Sequence, residues 1–167
     1  MKPARSADFL RKGWKRLARI ESSVVINAPV ERVMELAKDI ERFPEFMKDV
    51  KSVRILSREG NVIRAQWVGR VEELHINIKW IEEDVWDDEA RMSRFRQIEG
   101  DYGKLEGEWH FEPIPEGTLF RSVVEIEYDV PLIGPLLKGL IAKKAKENID
   151  ATLEAIKRWA EEGQASK

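Results

Sequence analysis

Between Arg19 and Asn27 apolar and polar residues alternate, with Ile20, Ser22, Val24 and Ile26 on one face. That is the period of a strand half-buried against a core. Ala28-Pro29 stops the run, and Pro29 suits the first turn of a helix whose apolar side is Val30, Val33, Met34 and Ala37. Glu31 falls near the positive end of that helix, where a carboxylate is favoured. The helix should reach about Asp39, and Glu41–Met47, "ERFPEFM", follows as a second short helix or turn. Pro44 cannot continue the first one, and Phe43, Phe46 and Met47 can pack together behind it.

Six further strand-like runs come next. Val50–Arg58 is followed by Val62–Val71, where Ile63, Ala65, Trp67, Gly69 and Val71 share a face. Leu74, Ile76, Ile78 and Trp80 repeat the pattern, the acidic cluster Glu82–Glu89 reads as a solvated connection, and Arg91–Ile98 is a weaker strand. Leu105, Gly107, Trp109 and Phe111 line one face of the next run. Thr118–Val130 closes the set with Phe120, Ser122, Val124, Ile126 and Tyr128 together. Turns at Glu59–Asn61, Gly100–Gly103 and Pro113–Gly117 are short, which implies an antiparallel meander.

The chain then turns helical from Pro135 to about Gly163. At about 100° per residue, Leu137, Leu140, Ile141, Ala145, Ile149, Ile156 and Trp159 form an apolar arc. Lys143, Lys146, Glu147, Asp150, Arg158 and Glu161 lie opposite. Asn148 and Thr152 break the rule by projecting into the arc, with Lys144 at its edge. The elements make an α+β chain in which a single sheet has one apolar face and the long helix is available to cover it. The two short helices would plug the open end of the curled sheet.

Composition narrows the functional classes. The net charge of −2 and charged fraction of 36% do not suggest a nucleic-acid binder. No apolar run approaches the roughly 20 residues of a membrane span, and no apolar core of a secretory signal is evident, so a cytoplasmic location is expected. Without cysteine there is no disulfide and no thiolate chemistry. The charge is uneven, however. Residues 1–20 carry seven basic side chains against one acid, Asp8, with Phe9, Leu10, Trp14 and Leu17 at helical spacing. The expectation is a basic N-terminal segment over 1–18, preceding a single domain over 19–163. It either packs as a terminal helix or frays, or touches an anionic membrane surface peripherally.

The stretch Ile26–Leu56, "INAPVERVMELAKDIERFPEFMKDVKSVRIL", resembles the opening of the polyketide cyclase/dehydrase and lipid-transport family of the START-like (SRPBCC) superfamily. Leu105–Pro131, "LEGEWHFEPIPEGTLFRSVVEIEYDVP", is similar to that family's last hairpin. The "ERFPEF" order is closest to the coenzyme Q-binding and ribosome-association branch. The likeness covers about residues 19–160. It implies the helix-grip fold: a curved seven-stranded antiparallel sheet wrapped around a long C-terminal helix, with two short helices after the first strand. It also implies a cavity for a small hydrophobic ligand such as a lipid, quinone or polyketide-like compound, and carries over no catalytic residue and no cofactor.

The candidate ligand-binding residues are therefore Trp67, Trp80, Trp109, Phe111, Tyr128, Ile141, Asn148 and Thr152. Strand aromatics are ordinarily core, but in a cavity fold the concave core face and the ligand wall coincide. Gly69 and Gly107 either leave room on that face or let the sheet bend. Asn148 and Thr152 either hydrogen-bond the sheet or orient a polar group of the ligand. His75 and His110 alternate onto the outer face and lack metal-ligand spacing, and no metal site is expected. For an enzyme of the cyclase/dehydrase kind, the available polar groups would be Tyr128, Asn148 and Arg94. No nucleophile–base pairing or phosphate loop is legible, so binding is favoured over catalysis. A ribosome-association role rests on the basic segment alone, and the oligomeric state is open.

Overall fold

The computed structural model describes residues 17–127 and 135–165. Its strands are β1 (Leu17–Ile26), β2 (Val50–Glu59), β3 (Val62–Val71), β4 (Ile76–Asp87), β5 (Met92–Gly100), β6 (Lys104–Ile114) and β7 (Gly117–Glu127). The helices are α1 (Val30–Ala37) and α2 (Pro135–Ala165), with 3-10 turns at Ile40–Glu45 and Glu72–Leu74. The expected helix-grip architecture forms: one seven-stranded sheet, ordered β1-β7-β6-β5-β4-β3-β2, antiparallel at every pairing. The basic segment over 1–16 and Tyr128 lie outside the described residues.

The strand order explains why the chain needs "ERFPEFM". β1 and β2 are consecutive strands, yet they form opposite edges of the sheet. The segment between them, α1 and the 3-10 turn, has to cross from edge to edge and so closes one end of the curl. Pro29 precedes α1 at φ −61° and ψ 147°, and the helix ends where Lys38 N–H reaches Met34 O at 3.1 Å. Pro44 sits inside the 3-10 turn, which Phe46 and Met47 close by donating to Phe43 O at 3.1 and 2.9 Å. Phe43 is 1% exposed, against Phe46, Trp67 and Trp109 at 5.4, 6.1 and 6.2 Å between ring centroids.

The inner face of the sheet is the alternation read from the sequence: Ile63, Ala65 and Trp67 on β3, and Phe120, Val124 and Ile126 on β7, are all buried. Ile141, Leu153, Ile156 and Ala160 of α2 pack onto it. Polar contacts fasten α2 to the β1 edge. Ser22 Oγ donates to Asp150 Oδ1 at 2.6 Å, Lys157 Nζ donates to Val25 O at 2.8 Å, and Asn27 N–H donates to Glu161 Oε1 at 3.0 Å.

Two expectations are corrected. Leu74 does not continue a strand: Glu72–Leu74 is a 3-10 turn, His75 takes a left-handed φ of 53°, and β4 begins at Ile76, which is 37% exposed. More consequentially, the acidic cluster is no solvated connection. β4 runs unbroken through Glu82, Glu83 and Asp84 to Asp87, paired with β3 on one side and β5 on the other. Central-strand pairing and the burial of Trp80 and Trp86 on either side outweigh the poor strand preference of acidic residues. Only Asp88–Arg91 turns, with Asp87 Oδ1 accepting from Ala90 N–H at 2.9 Å.

Candidate functional site

A cavity of about 140 Å³ lies between the inner sheet face, the Ile40–Glu45 turn and α2. That is near the roughly 150 Å³ of a dry apolar cavity that accommodates benzene, so the space as it stands suits one aromatic ring. Of the residues expected to form it, Trp67, Trp80, Trp109, Ile141, Asn148 and Thr152 line the wall. Trp67 and Trp80 stack at 5.7 Å with planes 12° apart. Trp109 stands on edge against Phe120 at 5.4 Å, its Nε1 donating to Ser122 Oγ at 3.1 Å.

Phe111 is not a wall residue. It is buried behind the wall, sandwiched between Trp86 at 5.9 Å and Phe120 at 4.6 Å. Arg94 also lies outside the cavity, on the outer face, where its Nε donates to Glu108 Oε1 at 3.2 Å. His110 shares that face, 2.8 Å from Glu108 Oε2. Gly107 leaves no free room: a Cβ there would stand 2.5 Å from Phe95 Cζ and 2.4 Å from Val123 O. The missing side chain admits the Phe95 ring.

Asn148 and Thr152 face the cavity with their hydrogen bonds partly spent. Asn148 Nδ2 donates to Asp49 Oδ2 at 3.2 Å and to Lys144 O at 2.8 Å, and Thr152 Oγ1 donates to Asn148 O at 2.8 Å. Lys144 Nζ completes the cluster, 3.4 Å from Asp49 Oδ1 and 3.1 Å from Glu73 Oε1. Burial opposes the lysine's charge, but the bonds and charges of Glu73 and Asp49 outweigh it and raise its pKa. Among the described residues Asn148 thus bonds no strand residue but ties the turn before β2 to α2 at the cavity rim.

The polar groups missed from the sequence are Glu82, Asp84 and Tyr102. Glu82 and Asp84 fall two residues apart on the inner face of β4 and line the cavity, between Trp80 and Trp86. Trp80 Nε1 donates to Glu82 Oε2 at 3.1 Å, and the two carboxyls are within hydrogen-bonding reach of each other. Burial raises both above the ordinary carboxylate range. For Glu82 the bonds from Asp84 and Trp80 offset part of that rise, whereas for Asp84 the neighbouring Glu82 charge adds to it. Of the two, Asp84 is therefore the more readily protonated. Tyr102, packed edge-on against Trp80 at 5.2 Å, is held protonated by burial and by the charges of Glu82 and Asp101.

A stability consequence follows for Asp84. Its folded pKa exceeds the unfolded value of about 3.9, so the stability it contributes is fully present below that value and is lost as pH rises through the folded pKa. Asp84→Asn keeps a donor to Glu82 without titrating. Thermal melts should show the variant gaining on the parent as pH is raised from about 4 towards neutrality. A constant offset across that range would mean that Asp84 ionises freely.

A wider open groove runs along Arg94, Arg96, Glu106 and Arg121. Several of its charges are paired across the sheet, as in Arg96–Glu83 at 3.2 Å, and it lacks the enclosure of the aromatic cavity. Among the described residues no cluster of three or more His, Asp or Glu side chains could hold a metal ion, and no helix is long and apolar enough to cross a membrane.

Comparison with known proteins agrees with this geometry. A putative polyketide cyclase of Streptomyces cyaneus is 31% identical over 99 residues, covering 59% of this chain and 65% of that protein. A bifunctional cyclase/dehydratase of the granaticin polyketide synthase from Streptomyces violaceoruber is 28% identical over 148 residues, which are 87% of this chain but 44% of that protein. The chain thus spans about two thirds of the first relative and under half of the second. Among solved structures, a protein of Thermus thermophilus superposes with a TM-score of 0.76 at 35% identity, covering 84% of this chain and 95% of that one. The STAR-related lipid transfer protein of Xanthomonas axonopodis shares the fold, with a TM-score of 0.68 at 13% identity over 84% of each chain. The profile of the polyketide cyclase/dehydrase and lipid-transport family matches residues 26–153, and the chain belongs to that family.

Proposed function

We propose that the cavity binds a compact hydrophobic ligand carrying one carbonyl or hydroxyl group, and that binding or transport of this ligand is the protein's function. The observation that carries the reading is an aromatic space with two partnerless polar atoms on lining residues. Asp84 Oδ1 is buried without a donor, and Trp67 Nε1 is buried without an acceptor, among the described residues. A buried polar group left unpaired costs about 1–3 kcal/mol, and a ligand oxygen would recover that. Trp67, Trp80, Trp109 and Ile141 supply apolar area worth roughly 25 cal/mol per Å² removed from water. The amide oxygen of Asn148 is a further acceptor for a ligand hydroxyl. Quinones belong in scope through the coenzyme Q-binding likeness of "ERFPEF", and polyketide-like rings through the cyclase relatives. A second reading, a cyclase- or dehydratase-type enzyme acting on the same ligand, is favoured by the Glu82–Asp84 pair.

Native mass spectrometry of the purified protein, then titration with a panel of aromatic ketones, phenols, quinones and fatty acids, tests the first reading. Trp67→Phe keeps the ring but removes the donor, and should weaken ketones by about 1 kcal/mol, roughly fivefold, while sparing hydrocarbons of the same shape. Asn148→Leu should do the same to phenols. If no panel compound binds the parent above background, the cavity is packing space and the reading fails.

A further inference from the structure

The carboxyl pair on β4 is more than a polar lining. Asp84 is 7% exposed, its Oδ1 accepts from no donor among the described residues, and both carboxyls border the cavity. A pair kept for stability would be neutralised by a cation, and cations are close at hand. Arg64 and Arg96 sit on the neighbouring strands, but both bond Glu83 on the opposite face of β4, at 2.9 and 3.2 Å. Lys144 is engaged by Asp49 and Glu73. Among the described residues, neither Glu82 nor Asp84 forms an ion pair with a basic side chain. Glu83, between them, takes two. Buried carboxyls without a counter-ion, beside an enclosed space, are the arrangement expected of proton-transfer groups.

Their surroundings also divide the roles. Trp80 Nε1 donates to Glu82 Oε2 at 3.1 Å, which favours the carboxylate form of Glu82. Burial, and then the facing Glu82 charge, favours the protonated form of Asp84. Trp67 Nε1, on the same cavity wall, is a second free donor for an oxygen held there.

We infer that Glu82 and Asp84 are a catalytic acid–base pair that enolises a compact hydrophobic ketone bound in the cavity. The inference rests on the ligand-binding reading above. Glu82 takes the proton from the carbon next to the carbonyl, and that C–H electron pair becomes the enol double bond. The carbonyl π pair moves to oxygen, which receives the Asp84 proton. The proton now on Glu82 passes to Asp84, so the pair regains its starting state and no oxidant or co-reactant is consumed. In the reverse direction a proton drawn from solvent returns to carbon.

The test is α-proton exchange of acetophenone in deuterium oxide, followed by proton NMR with the full-length protein, alongside binding measured by tryptophan fluorescence. The parent should speed exchange about 10²-fold or more over buffer, Glu82→Gln should lose nearly all of that while still binding the ketone, and Asp84→Asn should lose a large part. Should Glu82→Gln fail to fold, Asp84→Asn provides the same comparison. If the ketone binds but the parent exchanges it no faster than the variants, the acid–base assignment is overturned and the binding reading stands. If acetophenone neither binds nor exchanges, while other panel compounds bind, the ketone assignment alone falls; with no ligand at all, both fall.

Discussion

Leu153→Asp should abolish cooperative folding of the domain. Leu153 is 2% exposed on the inner side of α2, in the core that the helix shares with the sheet. Removing a buried leucine costs about 2–5 kcal/mol by itself, and the aspartate adds an unpaired charge in an apolar site. The sum is comparable to the roughly 5–15 kcal/mol that holds a whole domain together. Urea and thermal melts should show a broad or absent transition. A melting temperature within a few degrees of the parent would mean that the sheet is stable without its helix, and the helix-grip account of this chain would not survive.

Phe43→Ala should cost about 3–5 kcal/mol, since the ring is buried against Phe46, Trp67 and Trp109. Unlike Leu153→Asp, it should also change what binds. Phe43 borders the cavity, so its removal merges new space with the old. Melts should show the loss, and titration should show tighter binding of ligands larger than one ring relative to compact ones. If stability falls and the preference among ligands does not move, the cavity is not where they bind.

The two substitutions probe the parts of the molecule that were legible in different degrees. The strands around Trp67 and Trp109 could be read because one face is buried and the other solvated, so polarity alternates with period two. The arc on α2 was equally plain for the corresponding reason at helical period. Glu82 and Asp84 were illegible because that rule treats a charge as evidence of solvent. Their phase was visible all the same: Trp80, Glu82, Asp84 and Trp86 alternate in register, and two inward tryptophans commit the carboxyls between them to the inner face. Tyr102 was hidden for another reason. It lies in the short turn between β5 and β6, where Gln97 holds its backbone through bonds of 2.9 and 3.2 Å. Loop residues carry no periodicity from which burial could be inferred. Asn148 shows the opposite case, a polar residue flagged by position whose partner outside the helix, Asp49, is 99 residues away in the chain.

The fastening of α2 to β1 has a consequence for how the protein behaves when crowded. β1 is an outer strand of an open sheet, and the unpaired amides and carbonyls of such a strand are a template on which another chain can add. Here Lys157 occupies Val25 O, and Glu161 occupies the N–H of Asn27 just beyond the strand end. The last turns of the helix therefore work as a guard rail against self-association. Fraying of those turns would uncover the strand end before the core opens, so aggregation in this protein can begin from a molecule that is still almost wholly folded.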